Sequence, residues 1–365
     1  MWQGRKVLIT GHTGFKGSWL ALWLARQAAE VHGVALPPPP TPSLFAACRV
    51  EECLASSHCA DIRVPGMLDR VIAETRPEVI FHLAAQPLVR ESYRSPLATL
   101  ETNVMGTARL LDAVRHAENV RAVVVVTTDK CYDNREWEWA YREIDALGGH
   151  DPYSMSKAAA ELVTAAWRRS FMAEAGVAVA TARAGNVIGG GDFSVDRLVP
   201  DFLRAIDAGE TLQIRSPSAS RPWQHVLEPL AGYLLLAERL LLDGDAFAEA
   251  WNFGPPDSDT ETVASIIERL CRGSPTARWA MSVDPQPHEA RALRLDSGKA
   301  RCRLGWRTRW TLPEALDATL TWHRVWRSGG DMRSFTLSQI AAFEQAAREE
   351  HACPNPDAHR CQEAA

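Results

Sequence analysis

An apolar run that ends in three evenly spaced glycines opens this chain and constrains its fold more than any other feature. Lys6–Thr10 has the composition of a buried strand, and Gly11, Gly14 and Gly17 follow it where a helix is predicted to begin. Glycine permits positive φ and close approach of backbone N–H groups to a ligand, and a helix N-terminus favours a pyrophosphate. The pattern predicts a dinucleotide site. Its spacing differs from Gly-x-Gly-x-x-Gly, so a plain strand-to-helix turn is the alternative.

Strand-like runs alternate with helical segments through the first half of the chain. Strands are predicted at Lys6–Thr10, Glu30–Leu36, Val79–Leu83, Ala122–Thr127 and Val177–Ala182. Helices are predicted near residues 15–28, 67–76, 97–117 and 153–174. Such alternation is typical of right-handed βαβ units. We therefore expect an α/β fold, with a Rossmann-like doubly wound parallel sheet and a smaller mixed α/β substrate-binding domain.

The composition changes beyond about residue 185, where glycine clusters, prolines and tryptophans become frequent. We predict a nucleotide-binding domain at 1–185 with a return segment near 226–250. The predicted substrate-binding domain comprises 186–225 and 251–330, and a C-terminal helix and tail comprise 331–365.

Composition and charge exclude several classes of protein. The 365 residues carry a net charge of −5 and are 46% hydrophobic, which describes a globular chain with no basic excess to attract nucleic acid. The apolar stretch 230–242 contains Glu238 and Arg239 and is too short to span a bilayer. None of the eight cysteines forms a Cys-x-x-Cys pair or a zinc spacing. We expect a cytoplasmic protein that binds no metal, no nucleic acid and no membrane.

Tyr153 and Lys157 form the first candidate catalytic pair. They stand four residues apart at the start of a predicted helix, which places both on one face. A phenol can act as a general base near neutral pH only if cationic neighbours lower its pKa from about 10. Taken alone, such a pair is more often a surface contact of a helix.

Several further motifs appear in order around this helix. They are Leu83-Ala84-Ala85, Asn103, Thr127-Thr128-Asp129-Lys130, Ala184-Gly185-Asn186, Gly189-Gly190-Gly191-Asp192 and Arg221-Pro222-Trp223-Gln224-His225-Val226. With the glycine turn, this set resembles the extended short-chain dehydrogenase/reductase family through about residue 325. Lys130, where related nucleotide-sugar dehydratases place a second acid, is similar to the branch that acts on CDP-glucose.

The resemblance implies a lyase that uses NAD as a recycled hydride carrier. Its reaction is oxidation at C4 of the glucose ring, loss of water across C5 and C6, and return of hydride to C6, giving a deoxysugar precursor of surface polysaccharide. Tyr153 would take the C4 hydroxyl proton, with Thr128 and Lys157 assisting, and Asp129 would protonate the leaving C6 hydroxyl. Lys130 would be either the base at C5 or a stabiliser of the C4 enolate.

The resemblance also assigns binding residues. Besides Tyr153 and Lys157, the cofactor set is Gly11, Thr13, Gly14, Phe15, Lys16, Gly17, Asp61, Ile62, Leu83, Ala84, Ala85, Asn103 and Thr127. Leu36 stands where an acidic residue usually binds the adenosine ribose, so NAD depends on the resemblance. Asp61 could instead be a structural residue after a third strand. His12 is expected to face solvent, with pyrophosphate contact as the alternative.

The substrate set begins with arginines, because a guanidinium binds phosphate in bidentate fashion. The full set is Gln86, Arg90, Asn186, Arg197, Arg221, Trp223, His225 and Arg291. Core packing is the alternative for Trp223. We expect CDP-glucose as substrate and a homo-oligomer, dimer or tetramer. The alternatives are a dehydratase or 4-epimerase for another nucleotide sugar, and a non-catalytic NAD-binding scaffold.

Overall fold

A seven-stranded parallel sheet organises the protein in a computed structural model that describes residues 1–39, 42–256, 259–274, 276–282 and 292–352. Its strands are β1 (Lys6–Thr10), β2 (Glu30–Ala35), β3 (Ser56–Cys59), β4 (Val79–His82), β5 (Ala122–Val126), β6 (Ala178–Ala184) and β10 (Ala250–Phe253). They lie in the order β10-β6-β5-β4-β1-β2-β3, and every neighbouring pair is parallel. The order reverses between β1 and β4, where doubly wound sheets bind their ligands.

Helices cover both faces of this sheet. They are α1 (Phe15–Arg26), α2 (Leu44–Ala47), α3 (Met67–Thr75), α4 (Val89–Arg94), α5 (Pro96–Leu100), α6 (Gly106–Val114), α7 (Pro152–Trp167) and α9 (Leu227–Asp243). π-helical turns at Glu101–Met105 and Arg168–Met172 continue α5 into α6 and extend α7. The predicted Rossmann-like α/β fold is confirmed.

Alternation along the central strands explains the two layers of core. Ile9 and Val124 pack in one hydrophobic cluster with α1 and α9, whereas Leu8 and Val123 pack in a second cluster with α3 and α6. Because successive side chains of a strand point to opposite faces, a strand buried on both sides must be apolar throughout. All five residues of β5 are buried accordingly.

A second group of elements stands over the carboxyl ends of the parallel strands. Its strands are β7 (Asn186–Ile188), β8 (Thr211–Ile214), β9 (Ser220–His225), β11 (Thr260–Thr262) and β12 (Arg278–Met281), and its helices are α8 (Leu198–Ala208), α10 (Val263–Arg272) and α11 (Leu312–Arg327). β9 pairs in parallel with β7 and antiparallel with β11, and β12 pairs with β8. A separate hydrophobic cluster, including Phe202 and Ile267, forms its core.

Two features differ from the predicted pattern, and the predicted C-terminal helix is present. The edge strand β3 reads Ser-Ser-His-Cys and half of it is exposed, so hydrophobicity did not reveal it. The seventh strand, β10, extends the return segment to Phe253. The C-terminal helix α12 (Met332–Ala352) places Ile340 and Phe343 in the core that also contains α1. The division into separate domains stays a prediction.

No helix within the described residues is both long and apolar enough to cross a membrane. In the same part of the chain, no group of three or more His, Cys, Asp or Glu side chains is arranged to hold a metal ion.

Candidate active site

A cleft of about 1170 Å³ lies between the carboxyl edge of the parallel sheet and the second group of elements. It is lined at one end by the turn after β1 and at the other by β8, α8 and the start of β9. The ends of β4, β5 and β6 form its floor. Its size and position are those of a site for extended ligands in an open α/β sheet.

The glycine turn forms the first end of the cleft. Gly11 adopts φ +80°, and a Cβ there would lie 2.8 Å from the backbone nitrogen of Ala84. A Cβ on Gly17 would overlap the carbonyl of Gly11. No side chain caps the N-terminus of α1, and its first turn carries no acidic residue. An open, positively polarised helix end beside a turn that excludes side chains fits the pyrophosphate of a dinucleotide.

Most of the residues predicted to bind the cofactor line this end. Those in the cleft wall are Gly11, Thr13, Gly14, Phe15, Lys16, Gly17, Asp61, Ile62, Leu83, Ala84, Ala85, Thr127, Tyr153 and Lys157. Asp61 forms an ion pair with Arg63 at 2.6 Å, and this partner lowers the pKa of the Asp61 carboxyl.

Asn103 does not line the cleft, and its predicted contact with the cofactor stays a prediction. Its side chain is buried, and its amide accepts from the backbone N–H of Gln86 at 2.8 Å and donates to the Gln86 carbonyl and to Ser156 Oγ. These bonds use the amide fully within the protein. Asn103 fixes the loop after β4 against α7.

His12 is fully buried, and the prediction that it faces solvent is wrong. Its Nε2 lies 2.9 Å from Ser57 Oγ on β3, and its ring packs so closely on β2 that a Cβ at Gly33 would overlap it. Burial lowers the pKa of His12 to about 4, so the ring is neutral near pH 7. The sequence carried a signal for this packing in Gly33, which interrupts the apolar residues of β2.

Helix α7 presents Tyr153 and Lys157 to the cleft. Asp151 caps the helix by accepting from the backbone N–H of Ser154 at 2.9 Å, and Pro152 occupies its first turn. Lys157 Nζ donates to the carbonyl of Val126, the last residue of β5, at 3.2 Å. Burial lowers the pKa of Lys157 to about 8, and Glu161 opposes that shift.

Burial also shifts the pKa of the Tyr153 phenol, raising it to about 12. A hydrogen bond with Thr128 and the positive charge of Arg197 act in the opposite direction, whereas Asp129 raises the pKa further. Phenolate formation near neutral pH therefore requires an additional positive charge beside Tyr153. An oxidised nicotinamide ring has that charge.

Thr128, Asp129 and Lys130 form a compact polar cluster at the end of β5. Thr128 Oγ1 donates to Asp129 Oδ1 at 2.8 Å, and Lys130 Nζ lies 3.3 Å from the same oxygen and 3.3 Å from Asn186 Oδ1. Thr128 and Lys130 line the cleft, whereas Asp129 is fully buried behind them. Asp129 Oδ2 has no hydrogen-bond partner among the described residues.

Lys16 extends from the glycine turn toward this cluster. Burial and the positive charges of Arg197, Lys157 and Lys130 lower its pKa to about 7, and Asp129 opposes them. The centre of the cleft is therefore strongly cationic, which suits ligands that carry diphosphate groups.

Gln86, Arg90, Asn186, Arg197, Arg221 and Trp223 all line the cleft, as predicted for substrate residues. Arg197 forms an ion pair with Asp192 at 2.9 Å. The side chain of Gln86 already bonds within the protein, donating to Thr99 Oγ1 and accepting from the backbone N–H of Leu88. Arg291 lies outside the described residues.

His225 does not line the cleft, and its role as a substrate residue stays a prediction. It is fully buried, with its ring centroid 5.9 Å from that of Trp19 and 4.7 Å from that of Trp310. Burial lowers its pKa to about 3. Trp223 belongs to the core of the second group, whereas His225, the last residue of β9, packs against Trp19 of α1.

Sequence reasoning missed two polar groups near the site. At the rim, Asp196 lies 3.2 Å from Arg90 and 3.7 Å from Arg215, and all three residues line the cleft. Beneath the catalytic helix, Glu161 and Arg183 form a buried ion pair at 2.8 Å. No local motif marks either set, since their members come from distant segments.

Comparison with known proteins decides the family. The profile described as GDP-mannose 4,6 dehydratase matches residues 8–319. The chain belongs to that family. The CDP-glucose 4,6-dehydratase of Salmonella typhimurium is 50% identical over 351 residues, which cover 94% of this chain and 98% of that protein.

Solved structures of similar proteins share the fold of this family member. MoeE5, in complex with UDP-glucose and NAD, has a TM-score of 0.74 and 25% identity over 87% of this chain and 98% of its own. TunA, an NAD-dependent NDP-hexosamine 5,6-dehydratase of tunicamycin biosynthesis, has a TM-score of 0.73 and 25% identity over 89% of this chain and 98% of its own.

Proposed function

We propose that this chain is an NAD-dependent lyase that converts CDP-D-glucose to CDP-4-dehydro-6-deoxy-D-glucose and water. The observation that carries the proposal is that Thr128, Lys130, Tyr153 and Lys157 line one cleft, with the Asp129 carboxyl directly behind Thr128 and Lys130. The 50% identical Salmonella relative, a CDP-glucose 4,6-dehydratase, supports CDP-glucose as the substrate. The product is a deoxysugar precursor, which we expect to serve surface polysaccharide synthesis.

NAD fits the end of the cleft formed by the glycine turn, because the pyrophosphate can lie on Gly14, Phe15 and the N-terminus of α1. Asp61, Ile62 and Lys157 line this part of the cleft, which supports the proposal that the first two contact the adenine and Lys157 the nicotinamide ribose. When bound, NAD supplies the reversible hydride acceptor that the reaction requires.

Tyr153 is the proposed general base for the C4 hydroxyl. Its phenol is hydrogen-bonded to Thr128, which can therefore also bind the C4 oxygen. Lys157, one helical turn after Tyr153 on the same face of α7, donates to the carbonyl of Val126 and is the proposed cation for the phenolate. Oxidation at C4 acidifies the C5 hydrogen, which prepares the sugar for elimination.

Asp129 is the proposed acid for the departing C6 hydroxyl. Its Oδ1 is held by Thr128 and Lys130, which leaves Oδ2 to carry the transferable proton. Two roles fit Lys130, the base at C5 and a stabiliser of the enolate. Lys130 Nζ lies 3.3 Å from Asp129 Oδ1 and 3.3 Å from Asn186 Oδ1 at the cleft wall, and this geometry fits either role.

Exchange of the C5 hydrogen with solvent deuterium separates the two roles of Lys130. A Lys130→Ala variant that retains exchange at the wild-type rate excludes the role of base. Loss of exchange, with C4 oxidation intact, is the result that the role of base requires.

Loss of one water, measured by mass spectrometry, tests the function itself. Purified protein and NAD are incubated with CDP-glucose and, separately, with UDP-, dTDP- and GDP-sugars. We expect an 18 Da loss from CDP-glucose. Loss from a different nucleotide sugar would change the proposed specificity, and isomerisation without loss of water would indicate a 4-epimerase. The acid and lysine after β5 favour a dehydratase, because epimerisation at C4 requires no elimination.

The exposed apolar side chains of α5 to α7 support a homo-oligomer. Leu97, Met105, Met155 and Leu162 are 76%, 44%, 40% and 60% exposed on adjoining helices. Light scattering after gel filtration distinguishes a dimer or tetramer from a monomer. We also propose a cytoplasmic location, which is supported by free cysteines at all six positions described for that residue type.

A further inference from the structure

Glu161 is a buried carboxylate on the catalytic helix, and the proposed reaction assigns it no role. It follows Lys157 by four residues and Tyr153 by eight, so the three side chains lie along one face of α7. Its side chain is 3% exposed and does not line the cleft. Any influence on the reaction must therefore pass through its neighbours.

Three side chains donate hydrogen bonds to the Glu161 carboxylate. Thr127 Oγ1 donates to Oε1 at 2.5 Å, whereas Thr181 Oγ1 and Arg183 Nη2 donate to Oε2 at 2.7 and 2.8 Å. Thr127 directly precedes Thr128, and the other two donors lie on β6. The carboxylate thus ties α7 to the segment that follows β5 and carries Thr128, and to the neighbouring strand β6.

Arg183 is itself held in place by a second set of contacts. Its Nη1 donates to Tyr132 Oη at 2.8 Å, and Tyr132 Oη donates to Asn252 Oδ1 at 2.7 Å. The arginine is also 3% exposed. The network continues from α7 to the edge strand β10, so Glu161 has one geometry available to it.

The groups that face Lys157 make Glu161 electrostatically important. Lys16 from α1 disfavours a positive charge on Lys157. Burial lowers the pKa of His82 on β4 to about 3 and raises the pKa of the Cys131 thiol, so both are neutral near pH 7. Contacts with Arg183 and the two threonines lower the pKa of Glu161, which therefore stays charged.

We propose that Glu161 is a positioning residue that fixes Thr127, and through it Thr128, against α7 and holds Lys157 in its charged form. Tyr153, on the same face, then has both its hydrogen-bond partner and its cation in place. The catalytic readout of this proposal rests on the dehydratase function proposed above.

A Glu161→Gln variant keeps the shape of the side chain and removes its charge. Without that charge the pKa of Lys157 falls below its present value of about 8. The wild-type-to-variant ratio of kcat for loss of water should then rise with pH. For a fall of about one unit, it rises roughly fivefold between pH 6 and pH 8. A purely structural defect would lower kcat by the same factor at each pH.

Stability should change in the opposite direction. A lysine whose folded pKa lies below its unfolded value of about 10.4 destabilises the fold while it is charged. This penalty is lost as pH rises from the folded to the unfolded pKa. In Glu161→Gln the folded pKa of Lys157 is lower, so this pH range begins at a lower pH. The deficit in Tm relative to wild type should therefore narrow between pH 6 and pH 8, while the deficit in kcat widens.

Three further variants make the test decisive. Glu161→Gln combined with Arg183→Met removes both partners, so no buried charge is left unpaired, and it should give the same opposite trends. Glu161→Asp keeps the charge and should give a pH-independent ratio. Glu228→Gln is the matched control, because this buried carboxylate on α9 accepts from the backbone of Arg309 and Trp310, away from Lys157.

A pH-independent ratio in Glu161→Gln, or deficits in kcat and Tm that move together, would overturn the proposal. If wild type removes no water from any nucleotide sugar, the proposed function fails. The Tm comparison then still decides whether Glu161 controls the charge of Lys157.

Discussion

The two ends of the cleft are constructed by different means. At the cofactor end, the wall is backbone: Gly11 and Gly17 exclude side chains, and the N-terminus of α1 is open. At the substrate rim, the wall is a chain of side-chain charges in which Asp196 lies between Arg90 and Arg215. The first end depends on a short continuous segment, whereas Arg90 and Asp196 are 106 residues apart.

Because of this difference, substitutions at the two ends should have different effects. A backbone site has no alternative geometry once a Cβ is added to it, so its failures are abrupt. An exposed ion pair contributes little and is screened by salt, so its failures are gradual. Variants at the two ends can test this contrast directly.

Gly17→Ala should have the largest effect. The added Cβ overlaps the carbonyl of Gly11, and both atoms belong to the backbone wall. We expect loss of NAD binding by calorimetry and a free energy of unfolding lower by roughly 3 kcal/mol. Gly273→Ala, at the end of α10, is the matched control, because its φ is −81° and its Cβ would lie 3.3 Å from the flexible end of the Leu320 side chain, away from the cleft. Equal NAD affinity in both variants would break the comparison.

Tyr153→Phe should keep the cofactor end and the substrate rim intact but lose catalytic activity. Removing the hydroxyl that takes the C4 proton should lower kcat for loss of water by about 10³, with little change in KM. Tyr93→Phe, on the exposed surface of α4, should remain within about twofold of wild type. A Tyr153→Phe variant with more than a tenth of wild-type kcat would exclude the phenol as the essential base.

The same contrast separates what could be predicted from the sequence from what could not. Strands β1, β4 and β5 and the glycine turn follow from local hydrophobicity and glycine spacing, and so does the pairing of Tyr153 with Lys157 on α7. Each depends on residues within a few positions of one another. Local patterns therefore predicted the segments that form the cofactor end of the cleft.

Packing between distant segments explains where the structure differs from the sequence prediction. His12 and His225 have polar side chains beside predicted motifs, yet β2 and α1 bury them. Asn103 occupies a motif position, but Gln86 and Ser156 consume its hydrogen bonds. Asp196, Arg215, Glu161 and Arg183 belong to no motif. Only the fold brings their charges together.

The pH dependence of the free energy of unfolding should reveal the burial of His12 beside the cofactor end. The folded pKa of His12 is about 4 and an unfolded histidine titrates near 6.5, so its contribution to stability is complete above pH 6.5 and is lost as pH falls toward 4. We expect this group to account for about 3 kcal/mol of that loss. His12→Asn should flatten the pH dependence of urea unfolding between pH 6.5 and 4.5. The exposed His150→Asn is the control, and equal slopes in both variants would contradict the assignment.

Asp196→Asn should have the smallest effect, and it should strengthen ligand binding rather than weaken it. The side chains of Arg90, Asp196 and Arg215 are 31%, 24% and 25% exposed, so the removed ion pairs contribute less than about 1 kcal/mol each. Without the carboxylate, both guanidiniums are available to a diphosphate, and CDP should bind about two- to threefold more tightly in calorimetry at low salt. The gain should vanish near 0.5 M NaCl because salt screens exposed charges. Asp243→Asn, which removes the partner of Arg239 on α9 away from the cleft, is the control. Weaker CDP binding in Asp196→Asn would mean that Asp196 organises the two arginines rather than competing for them, and the substrate rim would then be as preorganised as the glycine turn.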